Sequence, residues 1–201
     1  MKTKVSLVSG WLKLPSLLVT FLPCFGTVIR NILILGCLLL LVSCQTKTVS
    51  TMNPSEVKVA RVVSGQTLEV VGLTETANLI SPVRLIGVDA PDLHQRPWGE
   101  DAKKFLETLI GGEQTAVKLE FDLENQDKFG RTLAYVWKDN VLLNEEMVKQ
   151  GYALFGGRSP NHKYDTRLDR AQQWARLMGQ GIWSPEKPMR LTPSEFRRLY
   201  R

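Results

Sequence analysis

Along much of the chain the apolar positions recur either at every second residue or at helical spacing. Val57 to Val63 and Thr67 to Val71 are rich in β-branched residues and are separated by Ser64-Gly65, which predicts a β-hairpin. Val83 to Val88 follows the turn signal Ser81-Pro82 and predicts a third strand. Ala102, Phe105, Leu106 and Leu109 fall at i, i+3, i+4 and i+7, one face of a helix that Gly111-Gly112 ends. Ala116 to Phe121 alternates, with Val117, Leu119 and Phe121 on one face, and Thr132 to Trp137 makes a fifth strand. Leu142 to Gln150 is a short helix stopped by Gly151, and Tyr164, Leu168, Ala171, Ala175 and Met178 mark one face of a longer helix ending at Gly179. Five short strands with an interposed helix and two following helices predict an α+β domain built on a small closed barrel, a form that leaves no sheet edge exposed. Pro185 to Arg201 is expected to be a peripheral tail.

The first 44 residues differ in kind. Ile32 to Val42 is an apolar run preceded by Arg30, a length that suits a signal-peptide core and falls short of the ~20 residues of a spanning helix. The run ends in Leu41-Val42-Ser43-Cys44, which resembles the bacterial lipobox, where lipid is attached to the cysteine and the chain is cut before it. A plain signal peptide or membrane anchor is the alternative. Trp11 to Phe25 is a second, proline-interrupted apolar stretch that a signal peptide does not need, so initiation at Val28 is the expectation. Residues 45–55 read as a polar linker, 56–184 as the folded domain and 185–201 as the tail.

Composition narrows the chemistry. The first 44 residues carry four of the 26 basic residues and none of the 20 acidic ones, so without them the net charge falls from +6 to +2. Net charge alone therefore does not argue for a nucleic-acid partner. All three cysteines lie in the leader, and His94 and His162 are the only histidines. A disulfide framework, a thiol nucleophile and a multi-histidine zinc site are excluded from the domain. Chemistry is left to carboxylates, guanidiniums and a hard cation.

Several local patterns, in order, resemble the staphylococcal nuclease family. Val83-Arg84-Leu85-Ile86-Gly87-Val88-Asp89-Ala90-Pro91-Asp92 is similar to that family's arginine-bearing strand running into an Asp-x-Pro-Glu turn. Trp98-Gly99-Glu100-Asp101-Ala102 resembles the opening of its first helix. Asp127-Lys128-Phe129-Gly130-Arg131-Thr132-Leu133-Ala134-Tyr135 is close to its Asp-Lys-Tyr-Gly-Arg-x-Leu-Ala-Tyr segment. Asn144 to Gly151 and Gly181-Ile182-Trp183 match its second helix and domain end. The resemblance implies a five-stranded OB-fold barrel with three helices and a metal-dependent nuclease acting on DNA or RNA.

It also implies roles. Arg84 and Arg131 would hold the phosphate, since a guanidinium stays charged and matches phosphoryl oxygens with a rigid fork of donors. Asp89 and the Ala90 carbonyl would be calcium ligands, and Asp92 would position or activate water. From the residues alone, Arg84 could equally be a structural ion pair, Arg131 an edge charge, and Asp89-Ala90-Pro91-Asp92 an ordinary Asx turn. Two positions depart from the family pattern. Gln66 stands where the family has a second metal-binding aspartate, and lends an amide oxygen but no charge. Asp92 replaces a glutamate, moving its carboxylate by ~1.5 Å, enough to cost ~100-fold in rate. A weakened calcium site is expected.

Three functions compete at this stage: a nuclease, a binding module that kept the barrel and lost turnover, and a structural envelope domain. Trp98, Phe129, Tyr135, Trp137 and Tyr152 are candidates for base stacking, though most are expected in the core. The expected protein is a monomer, exported and anchored to the cell-envelope membrane by lipid on Cys44.

Overall fold

β1 (Ser55–Ser64) turns Val57, Val59 and Val62 inward, and the break in strict alternation coincides with a register shift between Val59 and Arg61 against β2 (Thr67–Val71). Such a bulge bends a strand and increases its twist, which a small barrel requires. The computed structural model describes residues 55–74, 79–156 and 160–200. The leader, Cys44, the Val28 start and all of the linker except Ser55 lie outside the described residues.

β2 pairs with β3 (Ser81–Leu85), and β1 pairs on its other side with β5 (Ala116–Glu120), which pairs with β6 (Thr132–Lys138). β3 closes the ring by pairing with β6 in parallel, from Val83–Thr132 to Leu85–Ala134. The five expected strands thus form the expected closed barrel. β7 (Val141–Leu142) extends β6 through a two-residue turn, Asp139-Asn140. Leu68, Val70, Val83, Leu119 and Tyr135 fill the interior.

Four helices are described. α1 (Trp98–Ile110) lays Ala102, Leu106 and Ile110 into the core and ends at Gly111; α2 (Leu143–Lys149) buries Leu143, Met147 and Val148; α3 (Asp165–Leu177) buries Leu168, Ala171 and Ala175. Buried Asn144 ties α2 to the barrel, accepting from the Val136 amide at 2.8 Å and donating to the Ile86 carbonyl at 2.8 Å.

Two expectations are corrected. The run Val83 to Val88 is not one strand: β3 stops at Leu85, and a turn at Ile86-Gly87 redirects the chain into β4 (Val88–Asp89), which pairs with β8 (Leu154–Phe155). Gly87 has φ 72°, and a Cβ there would lie 2.5 Å from Leu168 Cδ1, so only glycine suits this corner. The second correction is a fourth helix, α4 (Pro193–Tyr200), inside the stretch expected to be a peripheral tail.

Candidate functional site

The corner at Gly87 sets the site's geometry. It folds the end of β3 back so that Arg84 Nη2 donates to the Val88 carbonyl at 3.1 Å, with Asp89 next in the chain. Arg84 is partly buried, and among the described residues it has no carboxylate within ion-pairing distance. Burial, first, and the neighbouring Arg131 hold its guanidinium below its ordinary value; Asp89 and Asp127 oppose this, and Arg197 adds to it. Three guanidiniums and two carboxylates therefore share one electrostatic neighbourhood with an excess of positive charge.

Arg131 comes from the adjacent strand, just before β6, whose Thr132 pairs with Val83 of β3. Asp127 fixes it: Oδ2 accepts from Nε at 2.8 Å and lies 2.7 Å from Nη2, while Oδ1 accepts from the Phe129 and Arg131 amides at 2.9 and 3.1 Å. One carboxylate thus shapes the loop and aims its arginine. The Phe129 ring, 72% exposed, lies against the same guanidinium at 5.5 Å and under Lys128 Nζ at 5.1 Å. Tyr135, by contrast, is fully buried, and Trp98, Trp137 and Tyr152 are partly so. Beside Arg84 opens a cavity of about 670 Å³, lined among others by Val88, Glu124, Gln126, Asp127 and Lys128.

The Asp89-Ala90-Pro91-Asp92 turn is held from three directions. The Ala90 amide donates to Gln66 Oε1 at 2.8 Å, so Gln66 clamps the turn through the atom it would have lent to a cation. Asp92 is buried; its Oδ1 accepts from the His94 amide at 3.0 Å, an Asx turn, and lies 3.0 Å from His94 Nδ1. The Asp92 carbonyl accepts from the Gln95 amide at 2.8 Å and packs on α1, where a Cβ on Gly99 would come within 1.9 Å of it. Asp89 Oδ1 accepts from Arg197 Nη2 at 2.6 Å.

Calcium takes about six to eight oxygen ligands. Here the one carboxylate of the expected inner set, Asp89, is paired with a guanidinium, and the Gln66 amide oxygen is paired with a backbone amide. Among the described residues, no cluster of three or more His, Cys, Asp or Glu is disposed to hold a metal. This arrangement does not fit a calcium ion while Arg197 rests on Asp89.

Arg84, Asp89 and Arg131 therefore share one neighbourhood, and Gln66, Ala90 and Asp92 build the adjoining turn. Sequence reading misses two members. Asp127 is visible only as a motif letter. Arg197 lies beyond the motifs, yet Thr192-Pro193-Ser194-Glu195 carries the signature of a helix start. In the structure the Thr192 amide donates to Glu195 Oε2 at 2.8 Å and the Glu195 amide to Thr192 Oγ1 at 3.2 Å.

Residues 82–185 match the family described as "Staphylococcal nuclease homologue". The chain is 36% identical over 140 residues to a thermonuclease of Staphylococcus hyicus, covering 67% of this chain and 79% of that protein. It is 35% identical over 130 residues to a thermonuclease of Staphylococcus intermedius, covering 62% and 74%. It is also 33% identical over 136 residues to the SPbeta prophage-derived endonuclease YokF of Bacillus subtilis, covering 64% and 44%.

Proposed function

The chain belongs to the staphylococcal nuclease family, and from that membership we propose that it is a nuclease hydrolysing phosphodiester bonds of DNA or RNA. The observation that carries the reading is Arg84: a partly buried guanidinium beside a cavity, bonded to a carbonyl, its charged form disfavoured by burial and by Arg131. An anion placed between Arg84 and Arg131 would relieve both effects. A phosphoryl group, whose oxygens gain negative charge toward the transition state, is the anion that such a fork stabilises most.

In this mechanism Arg84 and Arg131 hold the non-bridging oxygens, and Asp127 keeps Arg131 oriented. Asp92 positions or activates the attacking water from a turn in which its Oδ1 is already tied to the His94 amide. Phe129, exposed between Lys128 and Arg131, offers a stacking face to a base next to the scissile phosphate. Asp89 and the Ala90 carbonyl would hold a calcium ion only with Arg197 away from Asp89. Export and lipid anchoring at Cys44 rest on the leader pattern and belong to the same proposal.

One observation favours a second reading, strand binding without turnover: Gln66 supplies no charge and its amide oxygen is spent on Ala90. Incubating labelled single- and double-stranded DNA and RNA with calcium, magnesium or chelator separates the two. Cleavage by the wild type, lost in an Arg84→Ala, Arg131→Ala variant of native fold, supports the nuclease. No cleavage in any lane, with retained strand binding, supports the second reading and overturns the first.

A further inference from the structure

α4 reaches the site as a built element. Its capping pair Thr192 and Glu195 is formed, Pro193 is buried, and the Met189 amide donates to the Ile182 carbonyl at 2.9 Å. Gln95 links the helix to the active-site turn: its amide donates to the Asp92 carbonyl at 2.8 Å and its Nε2 to the Leu191 carbonyl at 2.7 Å. Arg197 is thus delivered to Asp89 by a scaffold anchored to the turn that carries Asp89 and Asp92. The contact spans 108 residues, and both side chains are largely shielded from solvent.

The charges explain why a guanidinium suits this position. Two ligand aspartates would balance a divalent ion, but Gln66 stands where the resemblance puts the second of them, and its oxygen is occupied by the Ala90 amide. Asp89, the one ligand carboxylate left, is matched by the positive charge of Arg197. Gln66 and Arg197 thus meet adjacent residues of one turn, Ala90 and Asp89. A guanidinium has five N–H donors, and Asp89 takes one of them at Nη2. Arg84 Nη2 is held by the Val88 carbonyl and Arg197 Nη2 by the carboxylate of the next residue, Asp89, so the two guanidiniums are fastened to adjacent residues of β4.

We propose that Arg197 stands at Asp89 in place of a divalent cation and donates its remaining N–H groups to the phosphoryl group held by Arg84 and Arg131. The phosphoryl part rests on the nuclease reading; the competition with divalent ions does not. The site then binds a strand without a metal and resists calcium until Arg197 leaves.

Calorimetric titration with calcium chloride, and binding of a short labelled oligothymidylate in chelator, test this on the full folded chain. Arg197→Gln is expected to bind calcium at least about tenfold more tightly than wild type, because a half-buried carboxylate left unpaired seeks a cation. The same variant is expected to bind the strand about tenfold more weakly, with a salt dependence reduced by about one counterion. Arg197→Lys keeps the charge and should exclude calcium as wild type does, while losing strand affinity with the fork. Arg198→Gln, on the exposed side of the same helix, controls for net charge and should match wild type in both measurements. Equal calcium affinity in wild type and Arg197→Gln overturns the proposal. So does calcium binding by Arg197→Lys at the Arg197→Gln level, undiminished strand binding by Arg197→Gln, or an equal response in Arg198→Gln. Failure of wild type to cleave any strand would instead overturn the nuclease reading and leave the calcium competition standing.

Discussion

Asp127 holds Arg131 through a single oxygen, Oδ2, which meets Nε at 2.8 Å and Nη2 at 2.7 Å, while its other oxygen fastens the loop that carries the arginine. In the proposed mechanism the carboxylate acts on the substrate through the arginine it aims. Asp127→Asn should therefore lower kcat by on the order of tenfold or more while changing KM little, since misorientation is felt most where charge develops. Steady-state kinetics of the variant, with its fold checked by circular dichroism, decide this. A rise in KM with unchanged kcat would assign Asp127 to strand binding.

The arginine pair should behave differently from a generic basic patch. Arg84→Ala and Arg131→Ala are each expected to lower the single-turnover rate by on the order of 100-fold, comparable to losing one preorganised oxyanion donor. Arg→Lys should rescue neither, because an ammonium cannot reproduce the bidentate fork. Full cleavage by the double alanine variant at saturating protein would rule out both roles.

Acid should destabilise the fold through two carboxylates. Burial pushes Glu120 up, but donors from Lys163, Trp137 Nε1 at 2.7 Å and Tyr164 Oη at 3.0 Å outweigh it and hold the carboxyl below its ordinary 4.5. Asp127 is likewise pushed up by burial and held below 3.8 by its bonds from Arg131 and Phe129. A group whose folded value is depressed binds fewer protons when folded. It adds stability above its unfolded value and loses it as pH falls through the folded value. Thermal midpoints should hold from about pH 7 to about pH 5 and fall below that, and Glu120→Gln should show a shallower fall. An unchanged slope in Glu120→Gln would remove Glu120 from the acid response.

Asn144 is the polar tie inside the core. Asn144→Ala leaves the buried Val136 amide and Ile86 carbonyl without the partner they now share, at a cost of about 2–4 kcal/mol. Because Ile86 begins the corner that brings Arg84 to Val88, activity should fall even under conditions where the variant remains folded. Urea unfolding beside a cleavage assay measures both effects, and full specific activity in the folded variant would confine Asn144 to stability.

The leader yields its own prediction. The mature protein should begin at a lipid-modified Cys44 and partition into detergent, and Cys44→Ala should abolish lipid labelling. An intact, unprocessed N-terminus found by mass spectrometry of native membranes would defeat it.

Much of this molecule is legible in its residues because the signals are local. Alternation at Val117 and Leu119, helical spacing at Ala102 and Leu106, and glycines at 111, 151 and 179 each act within a few residues, and burial of one face is enough to decide them. The short turn from Asp89 to Asp92 was likewise legible, since Pro91 orders the path between its two carboxylates. The boundary inside Val83 to Val88 was not legible, because the apolar residues before and after Gly87 are alike and only pairing with β6 or with β8 distinguishes them. Nor was the fate of Gln66, whose oxygen could have faced a cation as readily as the Ala90 amide. The meeting of Arg197 and Asp89 lay furthest out of reach. Hydrophobic periodicity states which side of an element turns inward, but it is silent on which exposed charges become neighbours once the elements pack. That choice depended on α4 docking against the Gln95 turn, so tertiary structure alone put a third guanidinium beside Asp89.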